Sequence, residues 1–215
     1  MDKAAIILAG GVGKRMCSKT PKQFLKTSKD DFPILISTLK KFSSIKKITL
    51  VLPKDYVEYW KLLCKKHKFI QPHKIVEGGK NRFYSVKNGL KTVNNNCIVA
   101  IHDGVRPFVS KELIDKIYTQ AKKTPEFGIV PYISLKDSIR EIIDSNSSIS
   151  RERNKFILTQ TPQCFYAKNL KLAYSQKFRK EFTDDASVFE AFGKKIRIVE
   201  GEEHNIKITT KNDLS

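Results

Sequence analysis

Short apolar runs recur along the chain, separated by longer stretches in which the apolar residues return every third or fourth position. Residues 4–8, 47–52, 73–76, 97–101 and 128–131 have the length and apolar density of buried strands. The stretches 34–42, 55–67, 82–92 and 111–122 carry the 3.6-residue period of amphipathic helices. Ser110 is placed to cap the last of these, although Leu113 stands where a full capping box has Glu or Gln. Such alternation predicts an α/β sheet with helices packed on both faces.

Beyond residue 131 the rhythm changes. Residues 134–156 are polar, β-prone and broken by the turn signal Asp144-Ser145-Asn146, which predicts a hairpin arm leaving the main sheet. An arm with so few apolar residues has little core of its own, so it is expected to pack on a partner subunit and make a homodimer. After it the pattern predicts helices over 167–178 and 185–192, a strand over 195–199 and an extended piece over 205–208.

The length of 215 residues suits one sizeable domain, and no Pro-, Gly- or Ser-rich stretch marks a linker. We therefore expect a single domain over 1–215, with 134–156 as its arm. The absence of a long uncharged run argues against a membrane span, and the start lacks a signal-peptide layout, so a cytoplasmic protein is expected. Cys17, Cys64, Cys97 and Cys164 lie far apart with no C-x-x-C pair, and His67, His73, His102 and His204 add no ligand spacing. Reduced thiols, rather than a zinc site, follow. A net charge of +19 attracts any polyanion, which raises nucleic-acid binding as a distant alternative. Its 41 Lys and Arg residues are spread along the whole chain, with no basic tail or aromatic-interleaved stretch, which favours small anionic substrates.

The chemistry concentrates in Leu8-Ala9-Gly10-Gly11-Val12-Gly13-Lys14-Arg15-Met16, followed by Pro21-Lys22-Gln23. Glycines at the carboxyl end of a first strand let backbone N–H groups approach phosphate oxygens, and Arg15 and Lys22 bring cations to the same place. A Walker loop would need glycine at position 8 and a hydroxyl residue at 15, where Leu8 and Arg15 stand; a dinucleotide fingerprint from Gly11 would need glycine at Met16. His102-Asp103-Gly104-Val105-Arg106-Pro107 follows another strand, where ligands of open α/β sheets collect. Asp103 there can position a metal or hydroxyl and Arg106 can clamp an anion, or the two can simply pair within a turn. Gly78-Gly79-Lys80-Asn81-Arg82-Phe83-Tyr84-Ser85-Val86 opens a helix and serves equally as a base or ribose contact or as an ordinary βα turn.

With Leu135-Lys136-Asp137-Ser138-Ile139, Thr159-Gln160-Thr161-Pro162-Gln163, Phe182-Thr183-Asp184-Asp185-Ala186 and Asn205-Ile206-Lys207-Ile208-Thr209, these motifs span residues 4 to 213 in order. The chain resembles the 2-C-methyl-D-erythritol 4-phosphate cytidylyltransferase family of the non-mevalonate isoprenoid pathway, and less closely the ribitol 5-phosphate cytidylyltransferases. The resemblance implies a Rossmann-like nucleotidyltransferase sheet, CTP and a polyol phosphate as substrates, and Mg2+ on the triphosphate. It implies that Arg15 and Lys22 stabilise the reacting α-phosphate, and that Ala9, Gly10, Gly11, Gly13, Gly79, Ser85 and Asp103 bind CTP, with Asp103 also near the metal. Arg106, Ser138, Thr161, Thr183 and Lys207 would surround the polyol phosphate, with Arg153 reaching the neighbouring subunit's site from the arm. Two positions depart from the pattern. Lys80 stands where some relatives have an acidic residue, and Ser138 replaces the more usual threonine but keeps the hydroxyl. The implied reaction is in-line attack of a phosphate monoester oxygen on the α-phosphorus of CTP, which asks for positioning and charge neutralisation rather than a nucleophilic side chain.

Overall fold

A computed structural model describes residues 1–11 and 20–215. Gly13, Arg15 and Cys17 lie outside the described residues. In chain order the elements are β1 (Asp2–Leu8), β2 (Lys26–Thr27), β3 (Asp30–Pro33), α1 (Ile34–Lys41), β4 (Lys47–Leu52), α2 (Val57–Lys66), β5 (Lys74–Glu77), α3 (Arg82–Leu90) and β6 (Cys97–Asp103). They continue with α4 (Lys111–Lys123), β7 (Phe127–Ser134), β8 (Ile139–Ile142), β9 (Ser148–Arg151), β10 (Ile157–Thr159), β11 (Gln163–Tyr166), α5 (Ala167–Ala173), α6 (Asp185–Ala191) and β12 (Lys195–Glu200).

β5, β4, β1 and β6 run side by side in parallel, and β11 joins β6 antiparallel. Tyr132 of β7 pairs with both Thr159 and Glu200, and Ile129 with both Cys164 and Arg197. β12 therefore holds one edge of β7, while β10 and β11 share the other, as two halves of one lane interrupted at the cis Thr161-Pro162 bond. The sheet is mixed rather than purely parallel. The apolar pattern marks no strand over residues 157–166, where Gln, Thr and Pro interrupt it; burial of Cys164 and Phe165 between neighbouring strands makes β11 there.

Alternation across the sheet supplies both cores. Ala5, Ile7, Ile98 and Ala100 face α1, α2 and α4, where Leu35, Leu39, Trp60, Ile114 and Ile117 cover them. Ala4, Ile6, Val99 and Ile101 face the other way, under Phe83, Leu170, Tyr174 and Phe189 from the α3, α5 and α6 side. Helices on both faces are as expected, and Ser110 caps α4 through Leu113 N at 2.9 Å. α5 ends five residues short of the expected boundary, with Tyr174 as its C-cap.

The arm is a separate two-stranded ribbon of β8 and β9. Asp144 closes its tip by accepting from the N–H groups of Asn146 and Ser147, each at 2.9 Å. Neither strand buries a residue, and Ile142, Ile143 and Ile149 are exposed.

Candidate active site

Four segments meet beyond the carboxyl ends of β1, β5 and β6, around a cleft of about 400 Å³. The first is the turn after β1. Ala9 donates its N–H to Val51 O at 2.9 Å, and its carbonyl accepts from Gln23 Nε2 at 2.9 Å, so the chain leaves the strand on a fixed path into Gly10 and Gly11. Gln23 belongs to a single 3₁₀ turn, Lys22–Phe24, that starts after Pro21. Phe24 anchors that turn in a nest of rings, 5.1 Å from Tyr59 and 5.7 Å from Tyr56.

The second segment joins β5 to α3. Asn81 caps α3 by accepting from Tyr84 N, and Ser85 Oγ accepts from Gly79 N at 3.1 Å while donating to Asn81 O at 2.9 Å. A side chain at Gly79 would put its Cβ 2.3 Å from Tyr84 Cβ, which explains the glycine by close approach. Ser85 Oγ also borders the turn after β1, 3.7 Å from where a Cβ on Gly10 would sit. Lys80 lines the cleft and rests its ammonium 4.7 Å from the centre of the Tyr84 ring.

The third segment is the end of β6. Asp103 is buried and stands among three cations, with Lys207 Nζ at 2.9 Å, Arg106 Nε at 3.6 Å and Arg82 Nε at 3.9 Å. Burial alone would raise its pKa; Arg82, Lys207 and Arg106 outweigh it and hold the carboxyl well below the usual carboxylate range. His102 points to the opposite face, packed 5.0 Å from the Phe42 ring, and burial pushes its pKa down to about 4. A neutral ring fits its partners, Arg106 O at 3.1 Å from Nε2 and Thr161 Oγ1 at 3.1 Å from Nδ1. The Thr161 hydroxyl also accepts from Asp103 N at 3.1 Å.

The fourth segment is the stretch after β12. Ile208 is buried and donates its N–H to Val105 O at 2.9 Å, while its carbonyl accepts from Lys22 Nζ at 2.8 Å. One short stretch thereby sets Lys207 against Asp103 and holds Lys22 in place.

Of the residues singled out in the sequence, Ala9, Gly10, Gly11, Lys22, Gly79, Ser85, Asp103 and Lys207 line this cleft. Arg106 does not; it is turned toward Asn205 O at 2.7 Å and toward Asp103, and burial lowers its pKa. Thr161 is buried behind Asp103. Thr183 is exposed ahead of α6, and Ser138 and Arg153 are exposed on the arm side, where the Arg153 guanidinium donates to Lys136 O. Sequence reasoning gave no role to Gln23, Asn81, Arg82 or Asp185. Asn81 was findable as a cap residue before a helical period, but the Arg82–Asp185 pair joins positions 103 residues apart and leaves no local signal.

Among the described residues the cleft collects Lys22, Lys80 and Lys207 against the carboxylate of Asp103, with Arg82 at its wall paired to Asp185, an arrangement suited to a polyanion. Comparison with known proteins agrees in family and fold. The family model for 2-C-methyl-D-erythritol 4-phosphate cytidylyltransferase matches residues 3–215. The enzyme of that name from Bacteroides fragilis is 46% identical over 217 residues, covering 100% of this chain and 97% of its relative. Among solved structures, the bifunctional IspDF of Campylobacter jejuni superposes with a TM-score of 0.82 at 34% identity, over 100% of this chain and 53% of that one. The 4-diphosphocytidyl-2C-methyl-D-erythritol synthase of Anaerococcus prevotii gives 0.79 at 31% identity, over 99% and 94%. Matched over residues 3–215 and in overall fold, the chain belongs to the 2-C-methyl-D-erythritol 4-phosphate cytidylyltransferase family.

Proposed function

We propose that the cleft between the glycine turn after β1 and the start of α3 binds CTP, with the triphosphate on the Gly10-Gly11 side and the nucleoside beside Gly79, Ser85 and Asp103. The chain is a cytidylyltransferase: it transfers CMP from CTP to 2-C-methyl-D-erythritol 4-phosphate, making 4-diphosphocytidyl-2-C-methylerythritol and pyrophosphate for isoprenoid synthesis. The observation that carries the site assignment is the closure of Lys22 onto Ile208 O beside the Lys207–Asp103 pair, which draws two cations from opposite ends of the chain to one cleft.

In the reaction an oxygen of the acceptor's phosphate forms a bond to the α-phosphorus as the bond to the bridging oxygen of pyrophosphate breaks in line. Both partners are anions, so positioned positive charge supplies most of the catalysis. Lys22, buried and fixed by its hydrogen bond, is suited to the α-phosphate because it need not reorganise as charge develops. Lys207 lines the cleft with its ammonium paired to Asp103 and is assigned to the phosphate of the acceptor. Arg15, outside the described residues, is assigned to the same phosphate as Lys22 on family resemblance alone.

Among the described residues no group of three His, Cys, Asp or Glu side chains can hold a metal. Mg2+ is assigned to the triphosphate because it takes most of its ligands from water and substrate phosphates, with ionised Asp103 as the protein contact it would use. When bound there, the ion neutralises triphosphate charge and favours departure of pyrophosphate.

We further assign the arm to a homodimer in which Arg153 completes the partner's site, supported by the exposed Ile142, Ile143 and Ile149 on a ribbon with no core. Cytoplasmic operation is assigned as well. Among the described residues no helix is long and apolar enough to cross a membrane, and Cys64, Cys97 and Cys164 are free thiols. Pyrophosphate release from CTP with 2-C-methyl-D-erythritol 4-phosphate, compared with ribitol 5-phosphate and with ATP in place of CTP, tests the assignment. Faster turnover with ribitol 5-phosphate or equal use of ATP overturns it.

A further inference from the structure

Behind the cleft, Arg82 is shared between two carboxylates that hold it unequally. Its Nη2 donates to Asp185 Oδ2 at 2.5 Å, whereas its Nε stands 3.9 Å from Asp103 Oδ1, beyond hydrogen-bond length. Asp185 is itself fully buried at the first turn of α6, and Tyr174 Oη at the end of α5 donates to its other oxygen at 2.6 Å. The same turn is fastened to β11, since Gln163 accepts from Ala186 N at 3.0 Å and donates to Asp184 Oδ2 at 2.7 Å. Asp185 therefore sits at a fixed place and holds Arg82 there. Two buried carboxylates and a guanidinium within reach of both make a competition that local geometry decides.

We propose that Asp185 is a positioning residue for the cytidylyltransferase reaction: by taking the Arg82 guanidinium it keeps Arg82 from closing onto Asp103, and so leaves the Asp103 Oδ1 side open to the nucleotide. The inference rests on the assignment of CTP to this cleft. Without Asp185, Arg82 needs to move only about 1 Å to make a direct charge-assisted hydrogen bond to Asp103. Asp103 would then be saturated by Arg82 and Lys207, and the ligand would have to displace a salt bridge in order to bind.

The test is CTP binding by calorimetry, in the presence and absence of magnesium, alongside steady-state kinetics on the full chain. Asp185→Asn should weaken CTP binding and raise its KM by about tenfold, with kcat changed by less than about threefold. The KM for the polyol phosphate should stay within about twofold. Adding Arg82→Gln to Asp185→Asn removes the competitor and should recover most of the lost CTP affinity, a rescue that mere damage to the fold would not give. Tyr174→Phe keeps the charge but drops one tether from Asp185, and should weaken CTP binding about two- to threefold in the same direction. Wild-type CTP affinity in Asp185→Asn, or in Tyr174→Phe should Asp185→Asn not fold, overturns the proposal. So does a double variant as weak as the single one. Failure of the parent chain to bind CTP would instead overturn the site assignment beneath it.

Discussion

The ammonium of Lys22 donates a 2.8 Å hydrogen bond to the carbonyl of Ile208, 186 residues further along the chain. The stretch that supplies that carbonyl also carries Lys207 to Asp103, so two cations of the cleft are set by one backbone segment. Lys22 is buried at a cleft rather than solvated, and its role is electrostatic if it meets the α-phosphate. Lys22→Ala should lower turnover by roughly two to three orders of magnitude. Loss of its bond to Ile208 O should cost about 1 kcal/mol of stability. Rapid-quench or pyrophosphate-release kinetics beside urea unfolding separate the two effects; turnover within a few fold of the parent would remove Lys22 from the reaction.

Gly79 and Gly11 make contrasting predictions although both line the cleft. A Cβ at Gly79 would meet Tyr84 Cβ at 2.3 Å and Tyr84 C at 2.9 Å, so the turn and α3 must separate. Gly79→Ala should destabilise the chain by about 1–3 kcal/mol and weaken CTP binding together. A Cβ at Gly11 has nothing described within 4 Å. Gly11→Ala should therefore unfold where the parent does yet lose CTP affinity, since the added methyl enters the space assigned to the triphosphate. Unaltered CTP affinity in Gly11→Ala would move the triphosphate elsewhere.

Much of this arrangement was readable in the chain because its causes are local. Alternation within residues 4–8 and 97–101 put Ala5 and Ile98 on one face and Ala4 and Val99 on the other, and glycines after β1 and β5 marked the turns. What escaped has non-local causes. β11 carries Gln163 and follows Pro162, and it becomes a strand because β6 and β7 flank it. In the sequence Arg106 reads as an anion clamp and Arg82 has no role, yet Asn205 turns the first away from the cleft and Asp185 restrains the second at its wall. Which arginine faces a ligand depends on partners about a hundred residues distant, and no spacing rule reaches that far.

His102 makes the fold acid-sensitive. Burial lowers its folded pKa to about 4, below the ~6.5 of an unfolded histidine. The unfolded chain therefore binds the proton first, and stability is full above about pH 6.5 and falls as pH drops toward 4. Between about pH 7.5 and 5 this one group should remove about 2 kcal/mol, read as a shift in the urea midpoint. Asp103, depressed far below ~3.9, keeps its contribution over that whole window and loses it only in stronger acid, so it does not compete for the effect. His102→Gln should flatten the slope between pH 7.5 and 5; an unchanged slope would assign the acid sensitivity to other groups.

The arm carries the remaining assignment, Arg153 at a partner's site. Arg153 is exposed on the 3₁₀ turn after β9, where its guanidinium is steadied by the Lys136 carbonyl, and it does not line the cleft of its own chain. If the arm exchanges between subunits, Arg153→Ala should raise the KM for the polyol phosphate far more than that for CTP, because a bidentate phosphate clamp is lost at one substrate only. Subunit mixing makes the geometry explicit. Heterodimers of Arg153→Ala with Lys22→Ala subunits hold one site with both residues intact and one with neither, and should regain about a quarter to a half of parental activity. Native mass spectrometry establishes that exchange has occurred. Activity that stays at the level of the two inactive variants after demonstrated exchange would place Arg153 and Lys22 in the same chain's site, leaving the exposed isoleucines of the arm to a purely structural contact.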